Sequence, residues 1–67
     1  MQPYQQRVVT EKIELDGKRA KLAAFIGTEA WEQLSDADQT ALRCQLHVMN
    51  LYSEILGVRI SAFSKHP

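Results

Sequence analysis

Apolar residues along the first third of the chain, Tyr4, Val8, Leu15, Leu22 and Phe25, recur at spacings built from three and four. That is the period of a helix face, not the alternation of a strand. Val8, Leu15 and Leu22 form one heptad row, and Tyr4, Glu11, Lys18 and Phe25 form the adjacent one. Pro3 suits the opening of a helix, where its missing N–H would have had no partner anyway. Gly17 costs about 1 kcal/mol against alanine but does not break the period. The pattern predicts a helix over about 3–26. Gly27 then stands where a left-handed glycine commonly closes a helix. Residues 27–35 predict a turn or short helix, with Trp31 and Leu34 folding back as a lid over the end of a hairpin. Ser35 followed by Asp36 and Asp38 is a helix start, because the hydroxyl can cap an amide and the carboxylates favour the positive end of the dipole. A second helix follows over about 36–62, with Gly57 a weak point near its end.

The second helix is apolar on more than one side. Leu42, Met49, Leu56 and Phe63 make one row, and Ala41, Val48, Ile55 and Ala62 its neighbour. Cys44, Leu51 and Val58 make a third, and Leu46 and Ile60 are apolar as well. The polar stripe is narrow: Arg43, His47, Asn50, Glu54 and Ser61. A hairpin covers one stripe on each helix, so a helix apolar around most of its circumference needs further cover. Each large apolar side chain left in water forgoes about 1.5–3 kcal/mol. The expected fold is therefore all-α: an antiparallel helical hairpin of two long helices with a short connecting helix or turn, one domain over residues 1–67, assembled as a homo-oligomer.

Composition narrows the function classes. The chain has 67 residues, 45% hydrophobic and 24% charged, which is the balance of a folded soluble protein and not of a disordered one. Eight Lys and Arg balance eight Asp and Glu, which argues against a general binder of DNA or RNA polymers, whose affinity rests on surplus cations. With a single cysteine, Cys44, no intramolecular disulfide is available. No apolar run approaches the roughly 18 residues of a membrane span, and the polar start lacks a signal-peptide core. These bounds predict a soluble protein in a reducing compartment, too small for a self-sufficient enzyme.

Candidate chemistry is sparse. Cys44 and His47, three apart, have the spacing of half a zinc site, but the only other histidine is His66 and four ligands would have to come from several subunits. A nucleophilic thiol would need an activating base, whereas the row of Cys44 points to a buried small hydrophobe. The carboxylates are scattered. Glu14 sits four before Lys18, the orientation of a surface ion pair. Neither catalysis nor a metal or cofactor is expected. The cations are less even: Lys18, Arg19 and Lys21 cluster, Arg7 and Lys12 precede them, and Arg59 lies late in the second helix. A solvated face is the ordinary reading of such a cluster. Lys18, however, shares its heptad row with Tyr4 and Phe25, where a wholly structural hairpin would prefer an apolar residue. The spacing therefore predicts an inward-facing lysine that can line a pocket with an aromatic two heptads away. A tyrosine offers a flat face to a base and a lysine a charge-assisted bond to phosphate, once another subunit closes the pocket. The structural alternative is a snorkelling lysine beside a core tyrosine.

The run Tyr4-x-x-Arg7-Val8-Val9-x-Glu11-Lys12-x-Glu14-Leu15-Asp16-x-Lys18-x-x-Lys21-Leu22-x-x-Phe25-Ile26 resembles small phage-encoded helical proteins. So does the run Gln45-x-x-x-Met49-x-x-Tyr52-x-x-Ile55-Leu56-x-x-Arg59-Ile60. They are similar to the phage anti-CBASS cyclic-nucleotide sponges, including relatives of a crAss-like phage protein, which share a hairpin domain with phage proteins acting against Thoeris. The resemblance covers nearly the whole chain. It implies a helical homohexamer that sequesters cyclic di- and trinucleotides without cleaving them, in the cytoplasm of an infected bacterial host. Within that resemblance Tyr4 stacks on bases, Lys18 or Arg19 contacts phosphate, and Arg59 belongs to a separate pocket for cyclic trinucleotides. Arg7 joins them as a candidate ligand-binding cation. Two rivals stand beside this expectation. One is a helical protein–protein interaction module with no nucleotide ligand. The other is a small nucleic-acid binder using Arg7, Lys12, Lys18, Arg19 and Lys21 as a phosphate stripe.

Overall fold

The computed structural model describes residues 1–65 and contains α1 (Pro3–Phe25), α2 (Glu29–Glu32) and α3 (Asp36–Phe63), with no strand among those residues. The long helices run antiparallel side by side, joined by the short one, in a rod of 49 × 14 × 14 Å. His66 and Pro67 lie outside the described residues.

The helix ends follow local chemistry. Pro3 occupies the first turn of α1 after an extended Gln2, whose N–H donates to Gln5 Oε1 at 2.8 Å. At the other end the expected left-handed glycine is absent: Ile26 keeps right-handed angles and no glycine has a positive φ. Thr28 closes the turn instead. Its hydroxyl donates to the Phe25 carbonyl at 2.7 Å and accepts from the Trp31 N–H at 3.3 Å, so one side chain serves both helices it joins. Trp31 forms the expected lid and is buried. It meets Phe25 edge-to-face at 6.1 Å, with the Arg43 guanidinium 5.4 Å above its ring. Ser35 caps α3 by accepting from the Asp38 N–H at 3.1 Å. α3 runs through Gly57 without a break and continues to Phe63; the aliphatic stem of Lys12 packs over the glycine, 3.7 Å from where a Cβ would sit.

The seam between the long helices corrects one expectation. On α3 the inward positions are Gln39, Leu42, Leu46, Met49, Ser53, Leu56, Ile60 and Phe63; on α1 they are Gln5, Val8, Lys12, Leu15, Arg19, Leu22 and Ile26. Both sets alternate in steps of three and four, the pattern that keeps one stripe on a neighbouring helix. The second inward row of α1 is therefore Gln5, Lys12, Arg19 and Ile26. Tyr4, Glu11 and Lys18 fall one position outside it and are exposed. Among the described residues, Val8, Trp31 and Leu56 are the buried apolar residues, and only Leu56 is fully buried. Outside the seam, Val48, Leu51, Tyr52, Ile55 and Val58 form a continuous exposed face of α3, Val58 at 70% exposure. Cys44 belongs to that outer side and is exposed, not a buried hydrophobe, because its row never turns toward α1.

Candidate functional site

The antiparallel register is fixed by contacts along the whole seam: Tyr4 against Phe63, Lys12 against Ser53, Arg19 against Asn50. Residues seven apart share a helix face, so Tyr4, Glu11 and Lys18 line one edge of α1. Tyr52 and Arg59, also seven apart, line the facing edge of α3. A hydrogen bond from the Tyr52 hydroxyl to the Glu11 carboxylate joins the two rows. That bond, helped by desolvation, raises the Tyr52 pKa, and the nearby charge of Arg59 opposes the rise. One edge of the hairpin thus carries three of the sequence-derived candidates, Tyr4, Lys18 and Arg59, around a Tyr52–Glu11 pair. Tyr4 is 53% exposed, and its ring lies edge-to-face with Phe63, centroids 6.0 Å apart and planes at 82°. Arg7 is exposed one turn beyond Tyr4, on the outer side of α1.

Arg19 does not join them. It lies in the seam, where it donates from Nη1 to Asp16 at 2.7 Å and to Ser53 at 2.8 Å, and from Nε to Asn50 at 2.9 Å. Lys12 completes the cluster, donating to Asp16 and to Ser53 at 2.9 Å each. The Ser53 hydroxyl accepts from both cations and donates to Asp16 at 2.6 Å. Asp16, between the two cations, has its pKa lowered from 3.8 to about 2, chiefly by the Ser53 hydroxyl, then by Lys12 and Arg19, against some desolvation. The cluster borders an open groove of about 440 Å³ floored by Ala20 and Ala23. Sequence reading placed Lys12 only in a phosphate stripe and gave Asp16 and Ser53 no role. The signal was there: Gln5, Lys12, Arg19 and Ile26 are seven apart and interleave with Val8, Leu15 and Leu22.

The two phosphate candidates are thereby told apart in their surroundings. Arg19 spends Nε and Nη1 inside the hairpin, whereas among the described residues Lys18 makes no ion pair. The ion pairs that form on α1 are Lys12–Asp16 and Arg19–Asp16, not Glu14–Lys18. Cys44 and His47 are both exposed on α3, and among the described residues no three His, Cys, Asp or Glu side chains are grouped to hold a metal. No described helix is long and apolar enough to cross a membrane.

A protein-family model, Sequestin, matches residues 2–62 of the chain. No curated protein and no solved structure matches it.

Proposed function

The chain belongs to the Sequestin family, and from that premise we propose that it is a sponge: it binds cyclic oligonucleotide second messengers and holds them uncleaved. The family's name fits a sequestering protein and not a catalyst. The ligands are cyclic dinucleotides and, at a second kind of pocket, cyclic trinucleotides. The setting is the cytoplasm of an infected bacterium, where a phage protein of this kind would blunt CBASS-type immunity.

The observation that carries the proposal is the shared edge of Tyr4, Lys18 and Arg59. A tyrosine face accepts any base by stacking, and an unpaired ammonium or guanidinium suits a phosphate. Tyr4 is assigned to the base and Lys18 to the phosphate, with Arg59 serving the larger ring; Arg7 and the unspent Nη2 of Arg19 are auxiliary cations. Fourteen residues of helix separate Tyr4 from Lys18, about 21 Å at 1.5 Å per residue. One compact cyclic dinucleotide does not bridge that length along a single hairpin. The pocket therefore combines Tyr4 of one copy with Lys18 of another. The exposed face from Val48 to Val58 supports the same conclusion, because further copies would cover it. The resemblance noted above gives six as the expected number.

Native mass spectrometry of the protein, alone and with cyclic di- and trinucleotides, tests this directly. The expected result is a discrete oligomer that gains ligand in stoichiometric steps and returns it intact on denaturation. Tyr4→Ala and Lys18→Ala should each weaken cyclic dinucleotide binding; wild-type affinity in both would remove the pocket assignment. The same apolar face of α3 also suits a different reading, a module docking another protein. A hetero-complex with no nucleotide affinity would favour that one.

A further inference from the structure

We propose that Phe63 is a positioning residue for the Tyr4 ring, holding it in the orientation that receives a base. The inference rests on the assignment of Tyr4 as a stacking residue and adds the group that acts through it.

Tyr4 is the second residue of α1. A side chain in a helix interior leans on the turn before it, and that contact selects its rotamer. At the second position no helical turn precedes, so the ring must be fixed from elsewhere. Phe63 supplies the contact. It is the last residue of α3 and sits in the inward row of Leu42, Met49 and Leu56, half-buried in the seam. Its backbone and ring are therefore anchored by the hairpin itself, while Tyr4 is more than half exposed.

The geometry suits this role. The rings meet edge-to-face, centroids 6.0 Å apart and planes at 82°, one of the arrangements favoured by aromatic quadrupoles. Whichever ring supplies the edge, at least one face of Tyr4 stays uncovered. A parallel stack between the two would instead have taken up a face that a base needs. Holding the ring before the ligand arrives removes part of the ordering cost that a freely rotating side chain incurs on binding. An aromatic pair of this kind changes a conformational equilibrium by roughly two- to tenfold, and that is the affinity change to expect.

The test uses the whole chain in titration calorimetry, with cyclic di-AMP and cyclic di-GMP as probes. Four variants are compared with the wild type: Phe63→Leu, Phe63→Tyr, Tyr4→Ala, and Tyr4→Ala with Phe63→Leu. Trp31 lies at the opposite end of the hairpin, so its emission, together with helical circular dichroism, reports whether each variant is folded. If Phe63→Leu loses helix, Phe63→Met replaces it, keeping volume without a ring. Phe63→Leu should weaken binding about two- to tenfold and Phe63→Tyr should retain it. In the Tyr4→Ala background the Phe63 change should add nothing, because its route through the tyrosine is gone. A merely structural role would act equally in both backgrounds.

Two results overturn the positioning role alone: Phe63→Leu binding like wild type while Tyr4→Ala is weakened, or a Phe63→Leu effect that persists in full without Tyr4. If the wild type binds neither probe, or Tyr4→Ala binds like wild type, the stacking assignment itself fails and the role of Phe63 goes with it.

Discussion

Ser53 is a small polar residue in an inward row otherwise composed mostly of large apolar side chains, and its replacement by alanine isolates the contribution of the polar cluster. The substitution removes one oxygen that accepts from Lys12 and Arg19 and donates to Asp16. Hydrogen bonds to charged partners contribute about 1.5–3 kcal/mol where water is excluded. Here the side chains of Lys12 and Arg19 are 30% and 32% exposed and keep their bonds to Asp16 at 2.9 and 2.7 Å. No charge is stranded, and water can take the vacated positions. The expected loss is therefore about 1 kcal/mol, below that range. In a domain of this size such a loss lowers Tm by about 4–8 °C. The assay is thermal unfolding followed by circular dichroism at one fixed protein concentration, because the proposed assembly would make Tm concentration-dependent. An unchanged Tm would mean that the cluster is solvated and inert. A fall several times larger would mean that its charges are as good as buried, and the solvent argument would be wrong.

Leu56→Ala should cost about 2–5 kcal/mol, because its side chain is wholly buried between the helices; urea unfolding should show a large fall in midpoint, and a small one would show that the seam collapses around the gap. Lowering the pH should destabilise the fold through Asp16, whose folded pKa of about 2 lies below its ordinary 3.8. That contribution is fully present above the ordinary value and is lost as pH falls through about 2, so Asp16→Asn should flatten the acid limb of a stability–pH curve measured by chemical denaturation. Gly17→Ala should stabilise by about 1 kcal/mol, since a Cβ there meets nothing within 4 Å and alanine is the better helix former; a lower Tm would place that face against another copy. Tm should rise with protein concentration if the outer face of α3 joins copies, and a concentration-independent Tm would count against assembly through it.

Much of the fold was legible because spacing and caps speak for themselves. Pro3, Ser35 and the heptad row from Leu42 to Phe63 set the start of α1, the start of α3 and its inward face without any tertiary information. What escaped was the rotation of α1. Val8, Leu15 and Leu22 define a row, but a row has two neighbours, and the apolar ends Tyr4 and Phe25 made the wrong neighbour look inward. The correct one contains Gln5, Lys12 and Arg19, which hydropathy marks as surface. Lys12 and Arg19 sit inward with Asp16 on their own helix and with Ser53 and Asn50 of α3 accepting their hydrogen bonds, and the cross-helix part of that pairing is not visible in one helix's sequence. Gly27 misled for a related reason: Thr28, one residue on, satisfies the groups that a left-handed glycine would otherwise have served.

The same rotation decides how the candidate residues can be used. With Lys12 and Arg19 turned into the seam, two of the clustered cations on α1 are occupied within the hairpin, and Lys18 is left on the edge with Tyr4. A continuous phosphate stripe of Arg7, Lys12, Lys18, Arg19 and Lys21 is correspondingly poor, because its members point into the seam as well as away from it. A polymer needs many phosphates met in a row, whereas a small cyclic ligand needs a few cations and a flat face. On one hairpin the edge places that face and the Lys18 cation about 21 Å apart, with the Glu11 carboxylate between them. A single copy therefore has the right groups in an arrangement that its proposed ligand cannot span. Pairing of copies, as proposed, would resolve this by bringing the two ends of the edge together, with the apolar face on α3 as the surface for it. On the proposed reading, assembly and binding are one design: the outward apolar rows that a lone hairpin cannot bury are what complete the pocket.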